Sequence, residues 1–96
     1  MPVPTSEGFE LIPVDLILRC EADDNYTYLY IKNNSRIVAC RTLKEMEGLL
    51  SSFFSFVRVH HSHIVNLNEV NRYVRGEGGY LVMSDGSSVN VSRSRK

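Results

Sequence analysis

With 96 residues, 11 Lys and Arg against 11 Asp and Glu, 43% hydrophobic residues and no Trp, the chain has room for one globular domain and none for a second. A domain this short buries only ~60–65% of the surface its unfolded chain exposes, so apolar positions go to the core and neither a large internal cavity nor a cofactor is expected. No run approaches the ~18 apolar residues of a membrane helix, which leaves a soluble domain without membrane contact as the expectation.

Residues 1–8 are rich in Pro, Ser and Gly and carry no hydrophobic period, so they read as a linker ahead of a domain spanning 9–96. If so, the natural protein is longer. The opening carries neither the basic residues nor the apolar stretch of a secretory signal. Cys20 and Cys40 form no Cys-x-x-Cys pair, and they read as ordinary thiols in a reducing cytoplasm.

Leu11-Ile12 and Leu16 to Leu18 flank Pro13 and Asp15 and predict short strands meeting at an edge or corner. From Tyr26 to Ile31 the period is two: tyrosines alternate with Thr27, Leu29 and Ile31, the pattern of a half-buried strand. Asn33-Asn34-Ser35 breaks it, and Ile37 to Arg41 returns, so a hairpin is expected whose asparagines tolerate positive φ.

Thr42-Leu43-Lys44-Glu45 has the form of a capping box. A short helix is therefore predicted over about Leu43 to Leu50, with Leu43, Met46, Leu49 and Leu50 as its apolar stripe. Phe53, Phe54, Phe56, Val57 and Val59 then look like the central core, whereas Ile64-Val65 looks too short to span a sheet. Asn66, Asn68 and Asn71 suggest single-turn structure. Glycines at 76, 78 and 79 and the pair Asp85-Gly86 mark turns, so Val70 to Arg75, Tyr80 to Met83 and Ser88 to Val91 form a three-stranded meander. The architecture is mostly β with one short α-helix.

The charge is uneven although its sum is zero. Residues 1 to 57 hold five basic against eight acidic residues, and residues 58 to 96 hold six basic against three acidic. His60, His61 and His63 fall in the basic half, which suits an anionic partner. The glycine cluster is not followed by Gly-Lys-Ser/Thr, so it is no phosphate loop. The histidines lack a nearby carboxylate or cysteine to complete a metal site, and Ser62 lacks an acid to orient a histidine base. No catalytic role is expected. Three connecting segments remain, Asn25 to Thr27, Arg58 to His63 and Ser92 to Lys96, whose polar and basic side chains suit a DNA groove.

The stretch from Phe56 to Asn66, Phe-Val-Arg-Val-His-His-Ser-His-Ile-Val-Asn, closely resembles the signature of the LytTR-type DNA-binding domain. Leu18 to Tyr26, Thr42 to Glu47, Asp85-Gly86 and Val91-Ser92-Arg93 match further parts of the family pattern in order. The resemblance implies small packed antiparallel sheets whose loops enter successive major grooves of double-stranded DNA, often at direct repeats. It also implies the output domain of a bacterial response regulator, with a receiver or sensor domain on its N-terminal side and room for a dimer on DNA.

Carried over by position, Thr27, His61 and Arg93 are expected to contact bases. Asn25, Tyr26, Arg58, His60, Ser62, Ser92, Arg95 and Lys96 are expected to contact the DNA backbone or order the loops. His61 stands where the family usually has arginine, so a bidentate fork to guanine is lost. Plainer roles stand beside these: Arg58 as an ion-pair partner of a strand acid, His60 as a hydrogen-bonding loop histidine, Tyr26 as a surface aromatic. The competing function is a protein-interaction module docking an acidic partner through the same loops.

Overall fold

The alternating run at Tyr26 sets the centre of the molecule. In the computed structural model, which describes residues 1–76 and 78–92, it forms a strand with Thr27, Leu29 and Ile31 buried and the tyrosines facing out. Ten strands, one α-helix and two single 3-10 turns make up the described residues. They are, in order, β1 (Pro2–Thr5), β2 (Gly8–Leu11), β3 (Ile17–Asp23), β4 (Tyr26–Ile31), β5 (Arg36–Ala39), α1 (Leu43–Leu49), β6 (Phe56–His60), β7 (His63–Asn66), β8 (Val70–Val74), β9 (Tyr80–Met83) and β10 (Ser88–Asn90).

The main sheet has the order β5-β4-β3-β7-β6, antiparallel throughout. Its β4–β5 turn puts Asn34 at φ 67°, a conformation asparagine reaches more easily than most residues. The predicted capping box is present: the Glu45 amide donates to Thr42 Oγ1 at 3.2 Å and the Thr42 amide to Glu45 Oε1 at 3.0 Å. The helix buries Leu43, Met46 and Leu50 on Cys20, Leu29 and Ile64 of the sheet. Leu49, assigned to the same stripe by spacing, is instead 47% exposed.

A second core lies on the other side of the sheet, under the β8-β9-β10 meander, and joins Val59 and Val65 to Leu81, Met83, Val89 and Val91. The two cores explain β7. Ile64 enters the first and Val65 the second, so this four-residue strand is buried on both faces. The reading of Ile64-Val65 as too short to span a sheet is therefore corrected.

Two further expectations are corrected. Residues 1–8 are not a linker: β1 pairs with β2 from Pro2↔Leu11 to Thr5↔Gly8, and Val3 is fully buried in the first core. Pro4, which has no amide hydrogen to give, accepts from the Cys40 amide through its carbonyl at 2.8 Å. The Phe53 to Val59 cluster is not the core as a whole. Phe54 is 95% exposed, Phe53 and Val57 are partly exposed, and only Val59 is buried. Phe53 and Phe54 lie in the turn that leads into β6, an edge strand, where one side has no neighbour to cover it.

Candidate nucleic-acid interface

Strand register decides where the three polar segments lie. β3 and β4 meet at the Asp24-Asn25 turn, with Asp23 opposite Tyr26 and Asp24 at φ 57°. β7 runs antiparallel to β3 with Glu21 opposite His63, so the His61-Ser62 turn falls at the same end of the sheet. The Ala22 amide donates to the Ser62 carbonyl at 2.9 Å and ties the two turns together. The Ser92 amide donates to the Val59 carbonyl at 2.8 Å and brings the last described residue to that end as well. His60, Gly79, Tyr80, Asn90 and Ser92 line a cleft of about 420 Å³ beside it.

At the first tip Asn25 and Tyr26 are exposed. Thr27 is not. Its side chain is fully buried and its hydroxyl donates to the Arg41 carbonyl at 2.8 Å, linking β4 to the approach to α1. A base contact from Thr27 is corrected on that ground, because a buried, committed hydroxyl presents nothing to a groove.

At the second tip Arg58 acts as a clamp. Its Nε donates to the His60 carbonyl at 3.3 Å, Nη2 to the His61 carbonyl at 2.6 Å, and Nη1 pairs with Glu47 Oε1 at 3.0 Å. The acid is thus on the helix, not on a strand. His60 Nδ1 accepts from the Ser62 amide at 3.1 Å. His61 is exposed, with its ring 4.2 Å from that of His60.

His63 is half-buried, 5.3 Å from His60 between ring centres, and its buried Nδ1 has no hydrogen-bond partner among the described residues. Burial holds its pKa below the usual value, against the pull of Glu21. Ser62 and Ser92 are half-buried. Arg93, Arg95 and Lys96 lie outside the described residues.

The charge at this end is mixed. Arg19 is nearly buried on the neighbouring strand; its guanidinium stacks on Tyr30 at 3.9 Å and pairs with Glu21 at 2.9 Å. The Tyr28 hydroxyl donates to Asp23, which raises the phenol pKa. Among the described residues no group of three or more His, Cys, Asp or Glu side chains is placed to hold a metal. Cys20 and Cys40 are free, and burial pushes the Cys20 thiol up to about 12.

Glu47 and Arg41 are the members of this site that sequence reasoning missed. Glu47 is 11 residues from Arg58 in another element, so no local spacing signals the pair. The Arg41 carbonyl is reached only because Thr27 lies opposite Ala39 in the β4–β5 ladder.

Fold and loop cluster together define a small antiparallel β domain that presents two turns, with Ser92 beside them, at one end of a five-stranded sheet. The chain belongs to the LytTr DNA-binding domain family, which it matches over residues 7–96. A solved structure that it resembles comes from Bacillus cereus, described as the LytTr DNA-binding domain of a methyl-accepting/DNA response regulator. The two share 30% identity at a TM-score of 0.83, with 99% of this chain and 87% of that chain covered. Among curated proteins none matches. Among the described residues no helix is long and apolar enough to cross a membrane.

Proposed function

We propose that this domain binds double-stranded DNA in a sequence-specific manner as the output domain of a bacterial transcriptional regulator. The observation that carries the reading is the meeting of the Asp24-Asn25 turn, the His61-Ser62 turn and Ser92 at one end of the sheet, tied by the Ala22–Ser62 and Ser92–Val59 bonds, in a member of a DNA-binding family. Turns spaced along one edge can follow successive major grooves on one side of a duplex. Phosphate contacts then supply most of the affinity and a few exposed side chains the discrimination.

In this reading His61 and Arg93 contact bases, and the first tip reads through exposed Asn25 and Tyr26, since Thr27 is enclosed. His61 offers a single imidazole edge where an arginine would offer a fork. Arg58 and His60 order the second turn through the bonds described above, with Ser62 as the partner of His60. Ser92, Arg95 and Lys96 are assigned to the DNA backbone. A cytoplasmic full-length protein with a receiver or sensor domain, bound to direct repeats and able to pair on DNA, is the setting this reading implies.

Selection from a randomised duplex library tests it. The wild-type domain should enrich one sequence, and that duplex should displace the protein from bulk random DNA, with affinity falling steeply as salt rises. Equal competition by selected and random duplexes would contradict the reading and favour a basic surface that docks acidic partners of any kind.

A further inference from the structure

The ladder between β6 and β7 is interrupted where it meets the second tip: the register shifts between Arg58 and His60. At such an irregularity the regular strand bonds no longer dictate the path of the backbone. The Arg58 guanidinium does so instead, through its two bonds to the His60 and His61 carbonyls. A guanidinium is a rigid planar fork, so fixing one edge fixes the direction of the others. The third edge is fixed by Glu47, on α1.

We propose that Glu47 is a positioning residue for the His61-Ser62 turn, acting through Arg58 to hold that turn in the shape that discriminates between DNA sequences. This rests on the reading of the turn as a DNA contact. Near its N-terminus α1 is tied to the first tip, because Thr27 donates to the Arg41 carbonyl just before the Thr42 cap. The helix is therefore a brace between two reading turns, and Glu47 is its attachment to the second.

A carboxylate near a polyanion gives this proposal a test with opposite signs. If Glu47 did nothing but carry charge, its removal would raise affinity for every duplex by relieving repulsion from phosphate. As a positioning residue, its removal lowers affinity for the preferred duplex while leaving binding to random sequence unchanged or tighter.

The experiment compares wild type, Glu47→Ala, Glu47→Gln, Arg58→Lys and the Glu47→Ala/Arg58→Lys double variant. Each is titrated with the duplex that wild type enriches from a randomised library and with a random duplex of equal length, and thermal midpoints verify folding. Glu47→Ala should lower the ratio of selected to random affinity about three- to fivefold, the scale of a partly exposed ion pair. Glu47→Gln keeps an oxygen acceptor for Nη1 and should recover most of the ratio.

Lysine at 58 cannot span three acceptors in a fixed plane, so Glu47→Ala should cost nothing further in that background. An unchanged ratio in folded Glu47→Ala, or losses that multiply in the double variant, overturns the proposal while leaving DNA recognition standing. Failure of wild type to enrich any sequence removes the underlying reading, and the proposal with it.

Discussion

Replacing Thr27 by valine separates a structural hydroxyl from a DNA-reading one. Valine keeps the shape and β-branching of the buried side chain but removes the donor that meets the Arg41 carbonyl at 2.8 Å. Depriving that part-buried carbonyl of its donor costs about 1–3 kcal/mol. At about 4–8 °C per kcal/mol for a domain of this size, the thermal midpoint should drop by roughly 5–20 °C. Circular dichroism melts and urea titrations measure this, and binding to the selected duplex, assayed well below the midpoint, reports the other half. The expected result is a clear loss of stability with base preference retained. An unchanged midpoint together with relaxed preference at one base pair would refute the reasoning and mean that Thr27 reaches the groove.

Asn66→Ala should be more damaging, because the Asn66 side chain is buried and donates to the Ile17 carbonyl at 3.0 Å while accepting from the Asn68 amide at 3.1 Å. A loss of about 2–4 kcal/mol is expected from the orphaned carbonyl and the space left behind; urea midpoints decide it, and a loss within error would show that the strand does not need the bond. The His63 imidazole is held below its usual 6.5 by burial, so the unfolded chain takes up the proton first. Stability should therefore be full above that value and decline as pH falls through it, and His63→Phe should flatten that decline. An equally steep decline in the variant would place the titrating group elsewhere. Arg93→Ala should relax sequence choice and weaken the preferred site by about 1–3 kcal/mol, as for a lost base contact; equal weakening on selected and random duplexes would make it a phosphate contact instead.

Much of the fold is legible where one local rule acts alone. The period of two at Tyr26 to Ile31, the capping box at Thr42 and the glycine-punctuated meander all reappear in the structure. The failures share a cause, which is that burial depends on what lies opposite. Val3 is buried because the Pro-rich strand pairs with β2 and meets Cys40 through the Pro4 carbonyl, a use of proline that composition does not show. Phe54 is exposed because its turn leads into an edge strand, and apolar type alone gives no hint of that.

Within the candidate site, exposure at Asn25, Tyr26 and His61 agrees with loop chemistry, whereas Thr27 follows the alternation of β4 and points in. That alternation was visible in the sequence and was the better guide to Thr27. The Glu47–Arg58 pair was not visible, since it joins a helix to a strand that meet only after folding.

The most direct measurement is a nuclear magnetic resonance titration of the labelled domain with its selected duplex. The amide signals of 23–27, 58–63 and 90–92 should shift together and saturate at one protein-to-site ratio, while those of the β4–β5 turn and the Phe53-Phe54 turn stay in place. Shifts centred on the latter two turns, with the first three segments silent, would mean that DNA meets a different face of the molecule.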